Sequence, residues 1–225
     1  MRKAFLVAFA AAAMIASQAD AQWYVRGEFN GWSNSANPMT DLGGGHYTYT
    51  ASGLTPGQAT EFKITVNDWS ENYPGSNSRT MANASGEIVF HFYQGAQSDG
   101  WEPSGYSRVG YADHEQFDWE VIGSMNGWAG GWNLTDLGQV HQGDFPLTGG
   151  TTYDFKYRRQ GDWGFSIGDN FGNSAANIQY TAAVDGVYRF QLDLEGGRHR
   201  VSLVPEPASL SLLGLGALAL IRRRR

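Results

Sequence analysis

The sequence predicts an all-β chain made of two copies of one β-sandwich, and three observations carry this. One phrase occurs twice, as Trp23-Tyr-Val-Arg-Gly-Glu-Phe-Asn-Gly-Trp32 and as Trp119-Glu-Val-Ile-Gly-Ser-Met-Asn-Gly-Trp128. Self-similarity over so long a spacing means a duplicated domain rather than one large fold. Apolar residues alternate or run in short stretches without a sustained helical period, and turn residues interrupt them at short, regular intervals.

The echo keeps its order along the chain. Thr40-Asp41-Leu42-Gly43 returns as Thr135-Asp136-Leu137-Gly138, and His46 returns as His141. Leu54-Thr55 precedes Phe62-Lys63 and Asp68-Trp69, as Leu147-Thr148 precedes Phe155-Lys156 and Asp162-Trp163. Gly86-Glu-Ile-Val-Phe-His-Phe92 answers Gly186-Val-Tyr-Arg-Phe-Gln-Leu192. Strands are expected over 47–50, 61–66, 87–92, 153–157, 186–194 and 199–203. Asn30-Gly31, Asn126-Gly127, Pro56-Gly57, Pro74-Gly75, Asp185-Gly186 and Gly196-Gly197 mark the breaks. Trp23 and Trp119 begin strands and are expected in the core. Arg108-Val109 stands where Arg200-Val201 stands in the second copy, so 93–107 reads as an enlarged loop of the last hairpin. The second copy has only the tight turn Glu195-Gly196-Gly197 there. The expected division is a first module at 22–110, a short linker at 111–117 that limits freedom between the copies, and a second module at 118–204.

Both ends read as address labels. Met1-Arg2-Lys3, the apolar stretch Ala4 to Ile15 and Ala19-Asp20-Ala21 form a helical signal peptide over 1–21, with Gln22 as the first residue after signal peptidase. At the other end, Pro205-Glu206-Pro207 leads into an apolar helix from Ala208 to Ile221, closed by Arg222, Arg223, Arg224 and Arg225. Arginines in that place are retained on the cytoplasmic side, so the helix reads as a membrane stop. The arrangement over 205–225 resembles the PEP-CTERM sorting signal. That resemblance implies recognition by an exosortase, transient insertion in the inner membrane, cleavage near Pro205 to Pro207, and release to the cell surface or an extracellular matrix. A plain C-terminal anchor would change the attachment and not the export.

Removing both labels takes six of the 16 basic and two of the 22 acidic residues, leaving ten against twenty and a formal charge of −10. Such a surface opposes nucleic acid and anionic membranes, which demand clustered Lys and Arg, and suits neutral ligands. With no cysteine, the chain has neither disulfides nor thiolate chemistry.

The strand pattern Val-x-Gly-x-(Phe/Met)-Asn-Gly-Trp, an apolar residue at Met39 or Leu134, and then Phe-Lys-x-x-x-x-x-Trp resembles the early-set immunoglobulin-like modules related to carbohydrate-binding family 48. The resemblance spans 23–109 and 119–204. It implies two tandem immunoglobulin-like (early-set) β-sandwiches and a site for an α-glucan. In the glycogen-binding relatives, the Trp ending the first turn and the Trp after the Phe-Lys strand stack on glucose rings, while the Lys bonds sugar hydroxyls. The matching positions are Trp32, Lys63 and Trp69 in the first copy, and Trp128, Lys156 and Trp163 in the second. Asn83 and Asn177 are candidates for a further sugar-contacting Asn. The chemistry fits independently, since a pyranose offers flat C–H faces and a rim of hydroxyls. An indole in an Asn-Gly-Trp turn either lies open to such a ligand or folds back to cap the sandwich.

No catalytic, cofactor or metal site is expected. His114-Glu115 lacks the second His of a zinc-protease helix, and Gly168-Asp169-Asn170-Phe171-Gly172-Asn173 lacks the spacing and distal Glu of a calcium loop. Neither a Gly-x-Ser-x-Gly elbow nor a phosphate loop occurs, and two small sandwiches rarely form the cleft that a carboxylate dyad needs. Two readings remain: a non-catalytic polysaccharide binder, or a structural surface protein using the sandwiches as spacers. Both Trp-Lys-Trp sets favour the binder, because a spacer needs only its core.

Overall fold

The alternation becomes antiparallel pairing along the whole described chain. The computed structural model describes residues 22–33, 36–112, 117–173 and 175–205. The first copy contains β1 (Tyr24–Gly27), β2 (Thr40–Asp41), β3 (His46–Ala51), β4 (Ala59–Thr65), β5 (Asn72–Met81), β6 (Ile88–Tyr93) and β7 (Arg108–Tyr111). The second contains β8 (Trp119–Gly123), β9 (Trp132–Asn133), β10 (Thr135–Asp136), β11 (His141–Leu147), β12 (Thr152–Arg159), β13 (Asp162–Ile167), β14 (Ile178–Thr181), β15 (Gly186–Asp193) and β16 (Arg198–Leu203).

Each copy forms two sheets. The first has β1-β4-β5 and β2-β3-β6-β7; the second has β13-β12-β8-β9, with β14 also on β12, and β10-β11-β15-β16. Aromatic side chains on alternate strand positions lock the two sheets of a copy face to face. Phe62 of β4 meets Phe90 of β6 with ring centroids 4.6 Å apart, and Phe155 of β12 meets Phe190 of β15 edge-on at 5.4 Å. All four rings are fully buried, as are Trp23 and Trp119 at 1% exposure, so the two strand-start tryptophans belong to the core as expected. Buried aromatics of this size dominate core energetics.

Tyr93 pairs with Arg108, which makes 94–107 the loop of the β6–β7 hairpin, with no counterpart between β15 and β16. Strand β7 reaches Tyr111, the first residue of the stretch read as linker. The expected helices over 1–21 and 208–221, the sorting residues Glu206, Pro207 and Arg222 to Arg225, and the His114-Glu115 pair all lie outside the described residues. Among the described residues, no helix is long and apolar enough to cross a membrane.

The two copies touch directly. The Tyr111 N–H donates to the Leu194 carbonyl at 3.0 Å, the Asn173 N–H to the Asn77 carbonyl at 2.7 Å, and the Ser78 hydroxyl to the Phe171 carbonyl at 2.9 Å. Arg79 of β5 lies 4.9 Å from the Phe165 ring of β13, and Arg159 Nη1 of β12 reaches Met81 Sδ of β5 at 3.8 Å. Gly110 permits the closest approach, for a Cβ there would sit 1.9 Å from the Glu195 carbonyl oxygen. Gly110→Ala is therefore expected to wedge the copies apart at a cost on the order of 1–3 kcal/mol, read as an earlier urea midpoint.

Candidate functional site

The Asn-Gly-Trp turn is fixed by its own residues. The Gly27 N–H donates to Asn30 Oδ1 at 3.0 Å, and Asn30 Nδ2 donates back to the Val25 carbonyl at 3.0 Å. In the second copy, Gly123 and Val121 bond Asn126 the same way at 2.9 and 3.0 Å. The chain then passes through left-handed Gly31 and Trp32, at φ 61 and 57, and through Gly127 and Trp128 at φ 64 and 58. Glycine enters that region freely, whereas a bulky L-residue spends about 1–2 kcal/mol there. The backbone closes the turn by bonds from Trp32 N–H to Gly27 O and from Trp128 N–H to Gly123 O, both 2.9 Å. Gly27 and Gly123 are required for space, since a Cβ would lie 2.4 Å from the Glu61 oxygen in one and 2.3 Å from the Asp154 oxygen in the other.

The second tryptophan follows an Asp for an equally local reason. Asp68 Oδ1 accepts the Ser70 N–H at 3.0 Å, and Asp162 Oδ1 accepts the Gly164 N–H at 2.8 Å, so the aspartate bridges the residue it precedes. Ser70 hydrogen bonds hold the Asp68 carboxyl below the usual carboxylate range.

These turns bring the tryptophans together in pairs of matching geometry. Trp32 and Trp69 have ring centroids 6.3 Å apart and an interplanar angle of 34°; Trp128 and Trp163 have 6.2 Å and 33°. Neither pair is sealed in the core. Trp32, Trp69 and Trp128 are half-buried, and Trp163 is 49% exposed.

A guanidinium supports the second ring of each pair, and its source differs between the copies. Arg26 of β1 lies 4.6 Å from the Trp69 ring, and Arg158 of β12 lies 4.2 Å from the Trp163 ring. Arg26 also donates to the Val66 and Asn67 carbonyls at 3.1 and 2.8 Å, which staples the loop carrying Trp69. Arg158 instead pairs with the buried Glu120 carboxylate, which accepts the Gly161 N–H at 3.1 Å in the turn before Trp163. Cation–π contacts of this kind contribute about 0.5–2 kcal/mol each.

The lysines are occupied locally. Lys63 Nζ donates to Asn72 Oδ1 at 2.9 Å and to the Pro74 and Gly75 carbonyls at 2.7 Å each, which uses the three donors of an ammonium. Lys156 Nζ donates to the Ala175 carbonyl. Burial pushes both ammonium groups below the usual lysine value. In this conformation Lys63 ties β4 to the start of β5.

The candidates Asn83 and Asn177 sit elsewhere, as does Trp101. Asn83 closes a turn by accepting the Ser85 and Glu87 N–H groups at 2.9 Å. Asn177 lines a cavity between the copies. Trp101, in the 94–107 loop, lies against the guanidinium groups of Arg198 and Arg200 at 4.7 and 4.6 Å. Among the described residues, no group of three or more His, Cys, Asp or Glu side chains is placed to hold a metal. No motif in the sequence singles out Arg26, Arg158 or Glu120. Strand alternation contains a signal for Arg158, which falls two positions after Lys156 and so on the same sheet face.

Among solved structures the chain is similar to SusF from Bacteroides thetaiotaomicron, at 17% identity over 82% of this chain and 49% of that one, with a TM-score of 0.35. It is also similar to the pullulanase from Bacillus acidopullulyticus, at 12% identity over 83% of this chain and 29% of that one, with a TM-score of 0.31. The chain thus spans about half the length of the first and under a third of the second. The chain matches no curated protein. Residues 203–225 match the PEP-CTERM protein-sorting motif, which marks an exported protein handled by a sorting system.

Proposed function

We propose that this exported protein is a non-catalytic polysaccharide binder whose two modules, 22–110 and 118–204, are early-set immunoglobulin-like sandwiches, each presenting a paired-tryptophan platform to an α-glucan. The observation that carries this reading is the recurrence of one strained, half-exposed Trp pair in both copies, at 6.3 and 6.2 Å. A capping role would seal the indoles, whereas Trp163 is 49% exposed and the other three are only half-buried. The guanidinium support points the same way, because the copies reach it with Arg26 in one and Arg158 in the other. What the two copies share is the platform. Rings inclined by some 33–34° suit a chain whose successive sugars turn relative to one another, as in a coiled α-glucan, better than a flat ribbon. Stacking is assigned to Trp32, Trp69, Trp128 and Trp163. Lys63 and Lys156 are assigned to sugar hydroxyls, for which Lys63 must exchange one of its three local acceptors.

In this reading signal peptidase cuts before Gln22, the tail holds the chain transiently in the inner membrane, and exosortase cleaves near Pro205 to Pro207 to leave it at the cell surface or in an extracellular matrix. Two weak sites on one chain gain affinity by linkage. The protein is expected to be retarded in affinity gels containing glycogen or amylopectin. Trp69→Ala with Trp163→Ala is expected to remove most of the retardation while the melting curve stays cooperative. The bonds that fix one copy against the other favour the second reading, a structural spacer with no sugar specificity. Unchanged mobility of the parent protein across a panel of polysaccharides would select it.

A further inference from the structure

The 94–107 loop is built rigidly and then used to wall a cavity. Its Glu102 exchanges backbone hydrogen bonds with His199 of β16, both at 2.7 Å. Arg108 clasps Asp99 with two bonds of 3.0 and 2.8 Å, and Arg198 reaches the same carboxylate at 2.7 Å while also pairing with Asp193. Trp101 lies against Arg198 and Arg200. A loop that only braced the copies would turn its remaining aromatic inward too, yet Tyr106 is 66% exposed.

Tyr106 lines a cavity of 780 Å³ shared by this loop and the second copy. Across it stand Tyr180 of β14, the amides of Asn177 and Gln179, the Asp154 carboxylate and Arg200 of β16. The volume falls in the range of small-molecule sites, and aromatic faces with a few converging polar groups are what such sites use. Glu102, Asp154 and Asp169 against Arg200 make the lining net negative, which disfavours anions. No metal-holding group of side chains occurs among the described residues. An uncharged ligand with both apolar faces and many hydroxyls fits the lining.

We propose that this cavity is a third binding site, taking a short neutral oligosaccharide, with Tyr106 and Tyr180 against the ring faces and Asn177, Gln179 and Arg200 on the hydroxyls. It rests on the reading of the chain as a glycan binder, but uses none of the paired tryptophans. The second copy has no such loop between its last two strands, so the site exists once per chain.

The test is an amide chemical-shift titration of the full-length protein in detergent with maltoheptaose. In the parent chain three clusters of signals move, around Trp69, around Trp163 and around Tyr106 with Tyr180. In Trp69→Ala with Trp163→Ala the Tyr106 and Tyr180 shifts persist. Tyr106→Ala, at an exposed position that keeps the melting temperature, weakens binding at that cluster at least tenfold and spares the two platforms. Shifts confined to the platforms would overturn the third site and leave the platform reading standing. Shifts confined to Tyr106 and Tyr180 would do the reverse. No shifts anywhere would overturn both.

Discussion

Replacing Arg158 with alanine is expected to cost about 3–5 kcal/mol, because it leaves the Glu120 carboxylate buried without its counter-charge. The side chains of this pair are only 9% and 4% exposed, so water cannot take over. Glu120 would keep the Gly161 N–H as a partner, far less than a guanidinium supplies. The same substitution removes the support 4.2 Å from the Trp163 ring, so the second platform loses its fixed orientation as well as the fold its stability. The two effects separate in Arg158→Met with Glu120→Leu. An apolar pair of similar volume is expected to restore most of the stability, since buried ion pairs gain little over packed hydrophobes. It is not expected to restore glycan retention by the second copy. Urea unfolding and affinity gels on the single and double variants read both quantities. A loss under about 1 kcal/mol for Arg158→Ala would mean that the pair behaves as a solvated surface bridge.

Acidification is expected to destabilise the protein from about pH 6.5 downwards. Burial, and then the charge of nearby Arg108, push the His199 imidazole down to about 4. Its ring packs against Tyr157 and the edge of Phe155 at the wall between loop and second copy. His91 is also held at about 4, by burial and then by His46, whose Nε2 lies 3.1 Å from His91 Nδ1. In the unfolded chain both titrate near 6.5. The unfolded state therefore takes up protons first, so stability is complete above pH 6.5, falls as pH drops towards 4, and levels off below. For His199 alone the loss is about 3 kcal/mol. Arg108 hydrogen bonds hold the Asp99 carboxyl well below its ordinary range, so its contribution, present above the unfolded carboxylate value, disappears only at still lower pH. Urea unfolding at pH 7 and pH 4.5 measures the drop, and His199→Gln is expected to flatten it. A variant with an undiminished drop would remove His199 from the account.

The sequence by itself determined the features that depend on a few neighbouring residues. Period-two alternation announced an all-β chain, and Phe62 and Phe155 fell in the core because alternate side chains share a face. The Asn-Gly-Trp turns were legible because the Asn bonds lie within five residues, and Asp68 and Asp162 act across two. The tertiary structure alone decided what lies beneath and between. Arg26 of β1 backs Trp69 in the loop between β4 and β5, Arg158 meets Glu120 thirty-eight residues away, and Lys63 is taken up by carbonyls of β5 rather than left free. The 94–107 loop was visible as an insertion, but its seat on β16 joins Glu102 to His199 across most of the second copy. Alternation and turn propensity are set by backbone sterics within one element. Ion pairs, ring stacking and cavities depend on which elements the packed sheets bring into contact, and no local pattern encodes that.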